Sequence, residues 1–188
     1  MAYLEGLSNL PALEGERVLL RRLVMRDAPD IFAYCRDPEV ARHVLWTPHE
    51  SLSESRGYIR YMLRRYRQGE PASWGIVWKP EKKVIGTIGF MWVNAENASA
   101  EVGYSLARAY WNRGIMTEAL RLVLDYGFGT LGLNRIEAQH EVANPASGAV
   151  MRKAGMRYEG TLRERLFNKG NYVDVALYSR LRSDCPDR

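Results

Sequence analysis

The segment E-V-G-Y-S-L-A-R-A-Y-W-N-R-G-I-M-T-E, residues 101–118, constrains the fold more than any other part of the chain. Its first six residues are apolar or β-prone and read as a strand ending at Leu106. A short loop through Trp111, Asn112, Arg113, Gly114, Ile115 and Met116 follows, and Thr117-Glu118-Ala119-Leu120 opens a helix. Strand, loop and helix start, in that order, make an anion-binding geometry. The first N–H groups of a helix lack internal partners, and the helix dipole places partial positive charge at the same end. A phosphate or pyrophosphate held there receives both. The chain is therefore expected to bind a phosphorylated cofactor.

The rest of the pattern sets the architecture. Residues 17–23 read as a strand, and Asp27-Ala28-Pro29-Asp30 as a helix start that breaks near Pro38. Residues 51–68 form a second helical stretch with Ser51 or Ser53 as cap, and Ile59, Met62, Leu63 and Tyr66 share one face. Residues 74–78, 84–93 and 101–106 give three strands in succession, separated by turn-forming residues. A helix from Ile115 to about Tyr126, a strand over 135–142, and a short helix from Asn144-Pro145 to Gly155 follow. Residues 157–167 and 172–181 read as a hairpin around Asn168-Lys169-Gly170-Asn171. Three consecutive strands followed by β-α-β predict an α/β fold with one mixed, mostly antiparallel sheet of about seven strands, flanked by about four helices.

At 188 residues the chain is expected to be a single domain, 1–188, with its core over about 16–181. No apolar run approaches the ~20 residues of a membrane helix, and the N-terminal stretch, with Glu5, Glu14 and Glu16, does not read as a secretory signal. Cys35 and Cys185 suit neither a disulfide framework nor a metal site. A cytoplasmic location without membrane contact is the expectation. The net charge of +5 favours acidic partners such as cofactor phosphates or RNA, without choosing among them.

Several motifs fail on context. Gly127-Phe128-Gly129-Thr130-Leu131-Gly132 matches G-x-G-x-x-G but closes a helix and precedes a strand, the reverse of a dinucleotide fingerprint. No Walker lysine, zinc cluster or G-x-S-x-G elbow is present, so no metal is expected. The loop over residues 111–117 has the correct element on each side. Taken alone it is also what any strand-to-helix turn looks like.

A second cluster decides between these. Y-W-N-R-G-I-M-T-E-A (110–119) and A-N-P-A-S-G-A-V-M-R-K-A-G-M (143–156) together resemble the acetyl-CoA and helix motifs of the GNAT superfamily of N-acetyltransferases. K-G-N-Y-V-D-V-A-L-Y (169–178) is similar to the final hairpin of the branch that holds the bacterial ribosomal-protein alanine and serine N-acetyltransferases. Three ordered motifs spread over nearly the whole chain make the resemblance specific. It implies a GNAT fold, acetyl-CoA as co-substrate, and transfer to a primary amine. By the same resemblance the acceptor is the α-amine of a protein, with ribosome proximity and a homodimer left open.

Carried over by position, Trp111, Asn112, Arg113, Gly114, Ile115, Met116 and Thr117 form the pyrophosphate loop. Arg113 and Arg108 supply charge, and Gly114 allows close backbone approach. Many members have glycine or alanine where Met116 stands, so its side chain is expected to point away from the phosphates. Ser105 and Leu106 mark the strand edge for the pantetheine amides, and an N–H between Tyr104 and Leu106 polarises the thioester. The strand is expected to splay from its parallel neighbour over 135–142. Asn144 reads both as a helix cap and as a pantetheine contact, uses that are compatible. Ser147, one turn on, reads as a polar first-turn residue or as the acid for the leaving thiolate, because residues 151–156 hold no tyrosine for that role.

Glu101 is the expected base for the amine, directly or through water, set against a solvated strand-end carboxylate. An α-amine of pKa ~8 is about one-tenth neutral at pH 7, whereas a lysine near ~10.4 is neutral in only about one molecule in a few thousand. One carboxylate suffices for the former. Trp46, Trp92 and Tyr104 are acceptor-pocket candidates that equally suit a core, and Arg56, Arg60, Arg64 and Arg67 form a basic stripe on one helix. No Cys or Ser with a base partner supports a covalent intermediate. A small amine as acceptor, or a non-catalytic acyl-CoA or RNA-binding module, remain the alternatives.

Overall fold

A computed structural model describes Leu7 and residues 10–185. The strands are β1 (Leu13–Glu14), β2 (Val18–Arg21), β3 (Ser73–Trp78), β4 (Lys83–Asn94), β5 (Ser99–Leu106), β6 (Arg135–Glu141), β7 (Arg157–Asn168) and β8 (Asn171–Leu181). They form one sheet in the order β1-β2-β3-β4-β5-β6-β8-β7. Every neighbouring pair is antiparallel except β5 with β6. The helices are α1 (Ala28–Cys35), α2 (Pro38–Ala41), α3 (Leu52–Gln68), α4 (Ile115–Gly129) and α5 (Pro145–Lys153).

Two elements exceed the sequence expectation. The two-residue β1 is too short to carry any periodicity. At Pro38 the chain stops and then restarts: Asp37 Oδ1 accepts the N–H of Glu39 at 3.0 Å, and Pro38 occupies the first helical turn of α2. The same proline thus ends one helix and begins another. The final hairpin turns tightly on Lys169 and Gly170, both at positive φ (47° and 88°), the conformation a two-residue type I′ turn requires.

Strand alternation sorts the side chains onto two faces. Trp74, Phe90, Ile136 and Ala138 face α4, where Trp74 stacks edge-on against Tyr126. Gly127 lets α4 approach β6: a Cβ there would lie 2.5 Å from Ile136 Cδ1. The rejected glycine motif is therefore a packing site. The opposite face carries Thr87, Glu101, Ser105, Gln139 and Glu141, beneath α1 and α3. Arg56, Arg60, Arg64 and Arg67 are exposed on α3, while Ile59, Met62 and Tyr66 are buried. Among the described residues no helix is long and apolar enough to cross a membrane.

The feature that makes the site is an incomplete pairing. β5 runs from Ser99 to Leu106 and β6 from Arg135 to Glu141, yet they pair only over Ser99–Glu101 with residues 135–137. Beyond Glu101 each strand follows its other neighbour, β4 or β8, and a wedge opens in the sheet.

Candidate active site

The free edge of β5 can be read from its hydrogen bonds. Ala107 N–H donates to Ile85 O at 2.7 Å, toward β4. Backbone groups alternate edges along a strand, so those of Leu106, Tyr104 and Val102 point into the wedge. The carbonyl of Leu106 is already taken, accepting Trp111 Nε1–H at 2.7 Å. Ser105 turns its backbone toward β4, and its Oγ lies 3.2 Å from Thr87 Oγ1 on the α1/α3 side.

The loop before α4 is held from outside. Arg17 Nη1 donates to the carbonyl of Arg113 at 2.8 Å, and Arg17 Nε donates to Glu118 Oε2 at 2.8 Å. Gly114 caps α4 in the left-handed region (φ 72°), and Asn112, two residues earlier, is also left-handed (φ 59°). The first helical bond recorded is Glu118 N–H to Gly114 O at 3.1 Å. The N–H groups of Ile115, Met116 and Thr117 find no acceptor among the described residues, and no side chain caps the helix. All three side chains are buried, including Met116, which points into the core. The loop thus shows backbone rather than side chains at its outer surface. Arg113 is exposed above the Tyr110 ring at 5.6 Å, and Arg108 is exposed nearby.

Burial opposes the charge of Glu118, but the Arg17 N–H, the Arg17 guanidinium and the Val18 N–H together hold its carboxyl below its ordinary value. A depressed carboxyl stabilises the fold above its unfolded pKa and loses that effect as pH falls through the folded value. Glu118→Gln is expected to cost about 1 kcal/mol at neutral pH, since the pair is partly solvated. The gap from wild type should shrink below about pH 4.5, the ordinary carboxyl value. Urea unfolding midpoints at pH 6 and pH 3.5 check this; a gap that does not change with pH would assign Arg17–Glu118 no electrostatic role.

A cavity of about 390 Å³ lies against the wedge. Its wall includes Glu101, Gly103 and Ser105 from one face of β5, and Val102 and Tyr104 from the other. Residues of both faces thus meet the space along the edge of β5 that β6 leaves unpaired. A bulge in β4 near Met91 shapes the rim, and Met91 lies over Gly103, where a Cβ would meet its sulfur at 2.8 Å.

On the α1/α3 side, Trp92 Nε1–H donates to Glu101 Oε2 at 2.8 Å and Gln139 Nε2–H to Oε1 at 3.1 Å. Trp46 lines the cavity; Trp92 stands outside it, holding Glu101. Burial pushes the Cys35 thiol in the cavity wall up to about 12, which keeps it protonated and unreactive at neutral pH. On the α4/α5 side, the Tyr104 hydroxyl donates to the carbonyl of Ser147 at 3.2 Å and lies 2.9 Å from its Oγ. Burial holds the Tyr104 phenol above its ordinary range, only partly offset by Ser147. Tyr104 on β5 thus sets its phenol against Ser147 in the first turn of α5. Asn144 stands at the cap of α5 without a side-chain cap bond, so its amide is free for another partner. His140 Nδ1 pairs with the Glu141 carbonyl, and its Nε2 is buried against Gly148 without a partner among the described residues.

Sequence reasoning missed Arg17, Gln139, His43 and Glu141. His43 Nδ1 lies 2.7 Å from Glu141 Oε2, across 98 residues of sequence. The one legible signal was the polar alternation Glu137, Gln139, Glu141, which sets three polar groups on one face of β6.

Residues 17–157 match the acetyltransferase (GNAT) domain family. Over 175 residues the chain is 35% identical to an uncharacterized N-acetyltransferase, p20, of Bacillus licheniformis, covering 93% of this chain and 98% of that one. It is 28% identical over 180 residues to the [ribosomal protein uS5]-alanine N-acetyltransferase of Escherichia coli, covering 90% and 91%. Mycobacterium smegmatis RimJ, solved in complex with CoA-disulfide, superposes with a TM-score of 0.81 at 25% identity, covering 94% of this chain and 90% of that one. The chain belongs to the GNAT family and is an acetyl-CoA-dependent N-acetyltransferase.

Proposed function

We propose that the whole chain is one catalytic domain that acetylates the N-terminal α-amine of a protein, drawing acetyl-CoA from the α4/α5 side and the amine from the α1/α3 side. The observation that carries this is the set of unbonded N–H groups of Ile115, Met116 and Thr117 beside the open edge of β5. A pyrophosphate fits there, since backbone donors, the helix dipole and the Arg113 and Arg108 cations all favour an anion. Acetyl-CoA supplies an activated acyl thioester when bound. The Leu106 and Tyr104 edge of β5 pairs with an extended amide chain as an added strand does, and the Asn144 amide reaches the same chain. The Tyr104 N–H, pointing into the wedge, is the donor for the thioester carbonyl. Ser147, in contact with the protonated Tyr104 phenol, delivers a proton to the departing sulfur.

Glu101 meets the incoming ammonium as its counter-charge. Each of its oxygens already accepts one bond, which fixes the carboxylate and leaves lone pairs toward the cavity. The resemblance to the uS5-alanine enzyme supports a protein N-terminus as acceptor. The hydroxyl-bearing wall of Tyr34, Tyr58, Thr87 and Ser105 suits a peptide end. The surface arginines of α3 leave room for an acidic or RNA-bound partner.

Release of free CoA thiol, measured with peptides beginning in Ala or Ser, with spermidine and without acceptor, tests the reading. Mass spectrometry of cellular N-termini with and without the enzyme then names the acceptor. Turnover with spermidine but with no peptide would replace the protein acceptor by a small amine. Glu101→Gln is expected to lower kcat/KM for a cationic acceptor about tenfold, the loss of roughly 1.4 kcal/mol of charge contact, mostly through KM. An unchanged KM removes Glu101 from acceptor binding.

A further inference from the structure

We propose that His43, held by Glu141, is the base that takes the proton from the acceptor's ammonium, a task the sequence pattern assigned to Glu101; this rests on the reading of the cavity as the acceptor site. His43 sits in the connection between α2 and α3, and Glu141 is the last residue of β6. Glu141 is buried, and both of its oxygens are engaged, one by His43 Nδ1 at 2.7 Å and the other by Asn168 Nδ2. Lys169, the next residue, bonds the carbonyl of Val44, so the final hairpin holds the His43 segment directly at Val44 and indirectly through Glu141. An imidazole whose Nδ1 proton is tied to a carboxylate presents a lone pair at Nε2. That atom has no hydrogen-bond partner among the described residues, and it is not sealed off: the His43 side chain keeps 22% of its surface exposed, in the cavity wall.

The other candidates in the wall are spent or shut in. His49 Nδ1 meets a hydroxyl, Ser55 Oγ at 2.8 Å, and not a carboxylate, and burial lowers its basicity. His140 turns its Nε2 away, against α5. Cys35, Tyr34 and Tyr58 are kept protonated by burial. Glu101 carries two donors and stands as the counter-charge. Besides Glu141, the charged groups in the wall are Glu101 from β5 and Arg65 from α3, while Lys169 from the β7–β8 turn acts on Glu141. Imidazole is the side chain that changes charge near neutral pH, where a general base works best.

The ammonium gives one proton to His43 Nε2, and the freed nitrogen lone pair forms a C–N bond at the thioester carbonyl carbon. The C–S bond breaks with its electron pair on sulfur. The nitrogen's second proton reaches that sulfur by way of the Ser147 hydroxyl, and the imidazolium returns its proton to water. Ammonium and thioester become amide, thiol and one solvent proton.

The test uses the full chain, acetyl-CoA and a short peptide with a free N-terminal alanine, with thiol release as the readout. His43→Ala is expected to lower kcat/KM about a hundredfold, the scale of a lost general base. Acetyl-CoA affinity should stay within about twofold, and the fall in rate on the acid side should flatten. Imidazole added at tens of millimolar, on the order needed for a mobile base, should restore activity in this variant and not in wild type. Glu101→Gln should keep the acid-side shape. If wild type turns over and His43→Ala matches it within threefold with the same pH profile, the proposal is overturned and the site reading stands. Loss of activity that imidazole does not restore, with melting temperature and acetyl-CoA affinity retained, makes His43 a positioning residue and also overturns it. Should His43→Ala unfold, His43→Asn carries the same test through its pH profile. A wild type that binds acetyl-CoA but releases thiol with no amine sinks the site reading itself.

Discussion

Trp74→Ala is expected to destabilise the protein by about 3–5 kcal/mol, the scale of deleting a large buried aromatic. Trp74 has no solvent exposure and lies where β3, β4 and α4 meet. Its ring meets Phe90 edge-on at 6.1 Å and Tyr126 at 5.6 Å, and its Nε1–H donates to the carbonyl of Pro11 at 2.7 Å. Removal opens a cavity that three different elements cannot jointly close, and it leaves that carbonyl without its donor. Urea unfolding should show the loss as a lower midpoint at constant slope, and melting should fall by on the order of 10 °C. Trp74→Phe fills most of the space and forfeits the hydrogen bond, so about 1–2 kcal/mol is expected. A loss below 1 kcal/mol in the alanine variant would mean that this junction is not packed as described.

Gly114→Val is expected to raise KM for acetyl-CoA by two to three orders of magnitude while leaving the fold intact. At φ 72° a β-branched side chain is strained by roughly 1–2 kcal/mol, and the loop relieves that strain by turning. Turning the loop re-aims the Ile115, Met116 and Thr117 amides, whose charge-assisted bonds to a phosphate are worth roughly 1.5–3 kcal/mol each. Losing about two of these three bonds at the lower figure, roughly 3–4 kcal/mol, gives a factor of about 10² to 10³ at 1.4 kcal/mol per tenfold. Steric filling contributes little, since a Cβ at Gly114 meets only Arg17 Nη2, at 3.5 Å. The kcat at saturating acetyl-CoA should fall far less than KM rises, because the strand edge and the acceptor cavity are not touched. Isothermal titration with acetyl-CoA and thermal melting separate the two outcomes. Unchanged affinity in a folded variant would place the pyrophosphate elsewhere.

The sequence was a good guide wherever one local pattern had one physical cause. Asparagine and proline before residue 146, glycine at 114 and at 155, and the Lys169-Gly170 pair each specify a backbone conformation without help from distant residues. Glu101, Tyr104 and Ser147 were visible as reactive types near the right loop. Their partners were not: Tyr104 lines the cavity, and nothing in the spacing places its hydroxyl on Ser147. Arg17 lies about a hundred residues from Glu118, and nothing in the spacing announces the bond that fixes the loop.

By itself, then, the chain determined its helices and strands apart from α2 and β1, the loop that exposes three amides and the family to which it belongs, because propensity, capping and turn chemistry act over a few residues. Only the tertiary structure decided which side chains share the wedge: Trp92 and Gln139 on Glu101, Tyr104 on Ser147, Arg17 on Glu118, and His43 on Glu141. Those pairings depend on where β5 and β6 cease to hydrogen-bond and on which strand edge each then follows, and that choice is made by the whole sheet closing at once.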